Sequence, residues 1–194
     1  TLKNRYPNVR ILTWKKEFNY SAINNFAVRE AQGEYLLFLN NDVEIITESW
    51  LEEMLQLCQQ KDVGMVGAKL YYPDDTIQHA GVVVGLGGVA AHVLCKLPRD
   101  AEGYMGRLRC VQEISAVTAA CMMVKTSVFK AVGGFDEELK VAFNDIDLCM
   151  KVRKYGVKIV FTPYAELYHY ESKSRGMEDT PEKQLRFSRE VNCF

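Results

Sequence analysis

Hydrophobic and polar positions fall into blocks along the chain, and the blocks have two different periods. VRILTW (9–14) is a short apolar run of strand length. SAINNFAVREAQG (21–33) reads as a helix, with Ser21 as its N-cap and Gly33 as its stop. EYLLFL (34–39) is continuously apolar, as in a strand covered on both faces. Glu48 to Gln60 carries apolar residues at 50, 51, 54, 55, 57 and 58, a broad helical stripe. VGMVGAKLYY (63–72) then returns as a strand. This alternation predicts a right-handed, mainly parallel α/β sheet flanked by helices.

The second half changes character. Residues 72–118 carry PDD, GLGG and PRDAEG turn signals around short strands, a loop-rich excursion. CMMVK (121–125) is strand-like, TSVFKAV (126–132) a short helix ended by Gly133 and Gly134, and DIDLCMKVRKY (145–155) a helix stopped by Gly156. KIVFT and AELYHY follow as two strands, and PEKQLRFSREV as a terminal helix with Pro181 near its first turn.

Composition narrows the functional classes. The 194 residues, 48% hydrophobic, suffice for one domain with a real core. With 24 Lys and Arg against 25 Asp and Glu, no broad basic surface marks a nucleic-acid partner or an anionic membrane. The most apolar stretch, residues 80–95, is broken by glycines and His92 and falls short of the ~20 residues that span a bilayer. The six cysteines form no CxxC pair and suit buried reduced thiols in a cytoplasmic compartment. The chain opens at Thr1 on a loop-like TLKNRYPN and reads as a fragment.

Asn40, Asn41 and Asp42 end the strand EYLLFL on polar groups. Asn and Asp are common turn formers, yet an amide and a carboxylate two positions apart can also approach one hard divalent cation. Ligands of open α/β sheets sit beyond the carboxyl ends of strands, so the position suits either role. In Asn144-Asp145-Ile146-Asp147, Asn144 fits an N-cap and Asp147 the first-turn acid that a helix dipole favours. Asp145 is less accounted for by helix capping, and it equally fits a general base facing a cleft. His169 is either a packed strand side chain or a metal ligand; beside a carboxylate and an amide, imidazole favours manganese over magnesium. Lys173 and Arg175 in SKSRG are solvated loop charges or, for Arg175, a bidentate donor to a diphosphate. Gly85 to Ala90 fits the GxGxxA turn of a dinucleotide site, but Pro98 follows within eight residues and leaves no clean helix for it.

Taken in order, FNYSAINNFAVREAQGEYLLFLNNDVEI, the glycine-rich middle, SAVTAACMMVKTSVFKAVGGFDEEL, VAFNDIDLCMKVRKYG and TPYAELYHYESKSRG resemble an inverting family 2 glycosyltransferase of the GT-A fold. The resemblance runs from Phe18 onward, and it is strongest to the bacterial surface-polysaccharide branch that includes rhamnosyltransferases. It implies a single catalytic domain that takes a nucleotide-diphospho-sugar as donor and a glycan or lipid-linked glycan as acceptor. A Mn2+ or Mg2+ ion would hold the donor diphosphate. By position, Asn40 to Asp42 match the family's DxD motif, with Asp42 as metal ligand and Asn40 and Asn41 on the donor side. Asp145 matches the general base of the ED motif, His169 a histidine that completes the metal site, and Asn25 an asparagine near the donor.

Three departures stand out. Asn40 replaces the first acid of DxD and Asn144 the glutamate of ED, each removing a negative charge. The family's N-terminal nucleotide-binding strands have no counterpart before Val9, so the base pocket is expected to be largely missing from this chain. The cytoplasm, including the inner face of the membrane for a longer parent, is the expected location. Two other classes share features with this sequence: a non-catalytic carbohydrate-binding module derived from the fold, and a sugar nucleotidyltransferase. The latter needs a glycine-rich phosphate loop that this chain lacks.

Overall fold

The structure, a computed structural model, describes residues 2–86, 89–171 and 180–193. In chain order its elements are α1 (Leu2–Arg5), α2 (Tyr20–Glu30), β1 (Tyr35–Leu39), β2 (Val43–Ile45), α3 (Trp50–Cys58), β3 (Val63–Tyr71), β4 (Ile77–His79), β5 (Val82–Val84) and β6 (Ala90–His92). They continue with β7 (Gln112–Glu113), β8 (Cys121–Lys125), α4 (Thr126–Ala131), α5 (Asn144–Lys154), β9 (Lys158–His169) and α6 (Pro181–Cys193). The central sheet runs β1-β8-β3-β9-β2, with β4 added to β3 and β7 to β9. β5 and β6 form a separate hairpin.

The apolar runs decide what lies inside. All nine residues of β3 are buried, which is why its sequence shows no alternation. On one face α3 packs Trp50, Met54 and Cys58 against Val66, Ala68, Leu70 and Leu167. On the other, Phe129 of α4 and Ile146, Leu148 and Val152 of α5 cover Met65 and Phe161. β3 comes so close to the segment before β8 that a Cβ on Gly67 would stand 2.5 Å from Val117 Cβ. That close approach seats Val117 against β3.

Strand direction differs from the sequence expectation. The flanked α/β sheet is present, but only β3 and β9 pair in parallel among the described strands; β1, β2, β4, β7 and β8 all pair antiparallel. β8, from the second half, inserts between β1 and β3, so the early strand-helix-strand pattern does not form one crossover of adjacent strands. VRILTW is not a strand either. No described strand pairs with it, and Val9, Ile11 and Leu12 are 46%, 54% and 40% exposed. KIVFT and AELYHY are one strand with a register shift opposite Gly67 and Lys69. Asn19, not Ser21, caps α2 by accepting from Ala22 N at 2.9 Å, while buried Ser21 donates to Leu139 O at 2.6 Å. β5 and β6 pair antiparallel, with Gly85 N donating to Val89 O at 2.7 Å, so β5 leads into a strand partner and not into the helix a dinucleotide turn needs.

Candidate functional site

β2 and β9 pair so that Val43 stands opposite His169, and Tyr170 N donates to Asp42 O at 2.8 Å. The polar turn after β1 is thereby fastened to the end of β9. Asp42 Oδ1 lies 3.3 Å from His169 Nε2, and Asn40 Nδ2 lies 3.2 Å from the same nitrogen. Gln78 of β4 sets the imidazole. Its amide nitrogen donates to His169 O and to Glu171 Oε2, both at 3.3 Å, so its Oε1 must accept, at 2.7 Å, from His169 Nδ1. The Nδ1 proton leaves Nε2 as the lone-pair nitrogen facing Asp42. Burial lowers the His169 pKa from its ordinary value, outweighing the opposing pull of Asp42 and Glu171.

A neutral imidazole lone pair therefore faces a buried carboxylate oxygen that has no hydrogen-bond partner. Asn40 Nδ2 donates to that imidazole nitrogen, so the orphaned atom of the group is Asp42 Oδ1, and a carboxylate beside an imidazole is a donor set that fits a divalent ion. Among the described residues, no third His, Cys, Asp or Glu joins it. Ions of this kind often take only one or two protein carboxylates and fill the remaining positions with water and substrate phosphate.

Asp145 is held from two sides. Its Oδ1 accepts from Ile146 N at 2.9 Å and its Oδ2 from Ala119 N at 3.2 Å. The next residue, Ala120, accepts from Asn40 N at 3.0 Å. Two adjacent residues before β8 thus fasten both the carboxylate at the start of α5 and the polar turn after β1. The helix start itself differs from expectation. Phe143 occupies the cap position in the left-handed region (φ 60°), and Asn144 is the first helical residue, its amide donating back to Val141 O at 3.0 Å. Asp147 pairs with Lys151 one turn on, at 2.7 Å.

Sequence reasoning missed a pair of histidines. His79 and His92 meet at 2.8 Å, Nδ1 to Nδ1, with their rings edge to face at 5.0 Å. Thr118 N donates to His79 Nε2 at 3.4 Å, so His79 carries its proton on Nδ1 and gives it to His92. His92 must then hold its own proton on Nε2. Burial, with His92 and His169 nearby, keeps the His79 pKa well below the ordinary value. Burial also lowers the His92 pKa, against the opposing pull of Asp145 and Glu171. All three histidines of the chain meet there. The signal in the sequence was only their rarity.

The other expected residues are spread out. Asn25 spends its amide on the turn after α4: Nδ2 donates to Phe135 O at 2.9 Å and Glu137 Oε1 at 3.1 Å, and Oδ1 accepts from Phe135 N at 3.1 Å. These bonds run to that turn, not to the Asp42 and His169 pair. Asn41 is exposed at the tip of the polar turn. Arg175 and Lys173 lie outside the described residues.

The sequence matches the glycosyltransferase like family over residues 7–190. The chain belongs to that family. An uncharacterised protein of Sinorhizobium fredii is 58% identical over 185 residues, 95% of this chain and 20% of that protein. The O-antigen biosynthesis protein RfbC of Myxococcus xanthus is 42% identical over 177 residues, 91% of this chain and 14% of that protein. An N-acetylglucosaminyl-diphospho-decaprenol L-rhamnosyltransferase of Mycobacterium tuberculosis is 24% identical over 193 residues, covering 90% and 62% of the two chains. The chain thus spans only a fifth or less of the first two relatives. Among solved structures, GalNAc-T7 with UDP, GalNAc and Mn2+ superposes with a TM-score of 0.71 at 12% identity, covering 98% of this chain and 37% of that one. The mannosyltransferase PcManGT of Pyrobaculum calidifontis, with GDP-Man and Mn2+, gives 0.63 at 15% identity, covering 97% and 49%. These likenesses establish the GT-A fold. No helix among the described residues is long and apolar enough to cross a membrane.

Proposed function

We propose that the protein moves a sugar from a nucleotide-diphospho-sugar to a hydroxyl of a growing glycan, in the synthesis of a surface polysaccharide, with inversion at the anomeric carbon. The observation that carries this reading is the Ala119-Ala120 clamp, which fastens Asp145 and the Asn40 turn to one short segment. Asp42 and His169 would hold a divalent ion, Mn2+ or Mg2+, with Asn40 and Asn41 beside it on the donor side. When bound, that ion offsets the charge that develops on the departing diphosphate.

Asp145 accepts the proton of the attacking hydroxyl. Two backbone N–H groups fix its carboxylate, so the accepting oxygen is oriented before substrate arrives. One carboxylate is enough, because a nucleotide diphosphate leaves without being protonated. Arg175, outside the described residues, is proposed as a further donor contact, while Asn25 keeps its amide on the turn at Phe135 and Glu137. The relatives' names, an O-antigen biosynthesis protein and a rhamnosyltransferase, support a polysaccharide or lipid-linked glycan acceptor. A cytoplasmic site of action accords with the free Cys58, Cys95, Cys110, Cys121 and Cys149.

The test is a screen of nucleotide-sugar hydrolysis and transfer with Mn2+ or Mg2+ present, with the product anomer read by NMR. Cation-dependent turnover of one donor, with inverted product, is the expected result. Cation-independent turnover, or a retained anomer, would reject the mechanism. Glycan binding without any turnover would favour a non-catalytic module instead.

A further inference from the structure

A cleft of about 810 Å3 opens beside β3 and β9, away from the Asp42 and His169 pair. That size is ordinary for a site that takes a whole ligand. Its walls include Lys69, Tyr71, Arg99, Arg109, Tyr164 and Glu166.

Lys69 is the feature that needs explaining. It is 4% exposed, and no carboxylate among the described residues lies within ion-pair distance of it. Its ammonium donates to Leu108 O at 3.3 Å and sits 5.3 Å from the Tyr71 ring. An ammonium has three donors, so this buried group borders the cleft with bonding capacity to spare. Arg99 lies on the wall, 3.5 Å from Asp75 and 3.7 Å from Glu166, donating to Tyr168 OH at 3.2 Å with its guanidinium over the Tyr71 ring at 5.0 Å. Glu166 accepts from Tyr71 OH. Tyr164, 52% exposed, anchors its hydroxyl on Arg109 O at 3.0 Å and leaves its ring on the wall.

The charges on the walls nearly cancel, with Lys69, Arg99 and Arg109 facing Asp74, Asp75, Asp100 and Glu166. A polyanion gains little in such a cleft, and a lipid tail would strand its polar groups. A ligand rich in hydroxyls fits, because each hydroxyl both donates and accepts, and an aromatic ring gives its apolar face a platform. Tyr71, at the end of β3, stands in register with Tyr168, one residue before His169; successive strand residues face opposite sides of the sheet, so the cleft is separate from the His169 side chain. We infer that this cleft binds the non-reacting sugar units of a neutral oligosaccharide, the acceptor glycan. This inference rests on the glycosyl-transfer reading above.

The test measures binding of neutral oligosaccharides of two to six units on a glycan array, and nucleotide-sugar hydrolysis in parallel, for the parent, Tyr164→Ala, Arg99→Gln and Lys69→Met. Expected is binding of oligosaccharides but not of monosaccharides, weakened about tenfold or more in Tyr164→Ala and Arg99→Gln. Thermal midpoints identify whether Lys69→Met is folded; the two exposed-wall variants decide the matter if it is not. If no oligosaccharide binds, or if Tyr164→Ala and Arg99→Gln bind as the parent does, the cleft assignment is wrong. Glycan binding lost in those two variants, in a protein that hydrolyses no donor, would keep the cleft and reject the transfer reading.

Discussion

Asp42 Oδ1 and His169 Nε2 face each other at 3.3 Å across the β2-β9 pairing, and the imidazole is turned there by Gln78. In the proposed cation site Asp42 and His169 would share one ion, so cation affinity should fall when either is replaced or when the ring is freed to turn. Gln78→Leu is the informative variant because Gln78 orients the imidazole through Nδ1 and makes no hydrogen bond to Asp42. It should weaken Mn2+ binding about 10- to 100-fold, the usual effect of losing a group that orients a ligating histidine. Calorimetric titration of Mn2+ in the presence of a nucleoside diphosphate reads this. Unchanged affinity in both Gln78→Leu and His169→Gln would remove His169 from the cation site.

Asn25 has a different expected signature. Its three hydrogen bonds to the turn at Phe135 and Glu137 join α2 to the segment after α4, and a Cβ on Gly134 would stand 2.7 Å from its Oδ1. Asn25→Ala should lower stability by about 1–3 kcal/mol, since it leaves backbone groups of that turn unpaired. Denaturant unfolding measures the loss. A raised donor KM with undiminished stability would instead support the donor contact inferred from resemblance.

The pH dependence of stability should carry the mark of His79. Its pKa is held well below the ordinary value by burial, with His92 and His169 adding repulsion. The unfolded chain takes up a proton below about pH 6.5 that the folded chain refuses. Stability is therefore full above that pH and falls as pH drops, by at most about 1.4 kcal/mol per unit for this one group. His79→Gln should flatten the slope between pH 6.5 and 5, though not abolish it, because His169 is shifted in the same direction. An identical slope in the variant would show that His79 titrates normally.

Much of this was legible in the sequence where the code is local. The continuous apolar run of β3, the stripe of α3 and the glycine stop of α5 each reflect burial or backbone geometry within one element. Strand direction was not local: β8 displaced the expected parallel neighbour of β1 from more than eighty positions away, and VRILTW kept an apolar pattern with no described strand beside it. Asp42, Asp145 and His169 were singled out because motif order announced them. Gln78, His79 and the N–H groups of Thr118 and Ala119 were not, because one is a neutral amide, one a histidine in an ordinary strand, and two are backbone atoms that no side-chain motif encodes.

Asp147 offers the control for the base assignment. It sits two residues from Asp145 but is tied to Lys151 at 2.7 Å, with both side chains partly exposed. Its loss should cost at most about 1 kcal/mol of helix stability, because a one-turn pair and a first-turn acid are each worth less than that. Activity in Asp147→Asn should remain close to that of the parent.

The most direct measurement is turnover of Asp145→Asn at saturating donor and cation, with donor affinity and thermal midpoint recorded on the same preparation. The carboxamide keeps the size of the side chain and an oxygen for Ala119 N or Ile146 N, so folding and donor binding should persist. Turnover should fall by about 10²- to 10⁴-fold, the usual contribution of a general base. Turnover equal to that of the parent, with Asp147→Asn inactive, would place the base on the other carboxylate and contradict the mechanism.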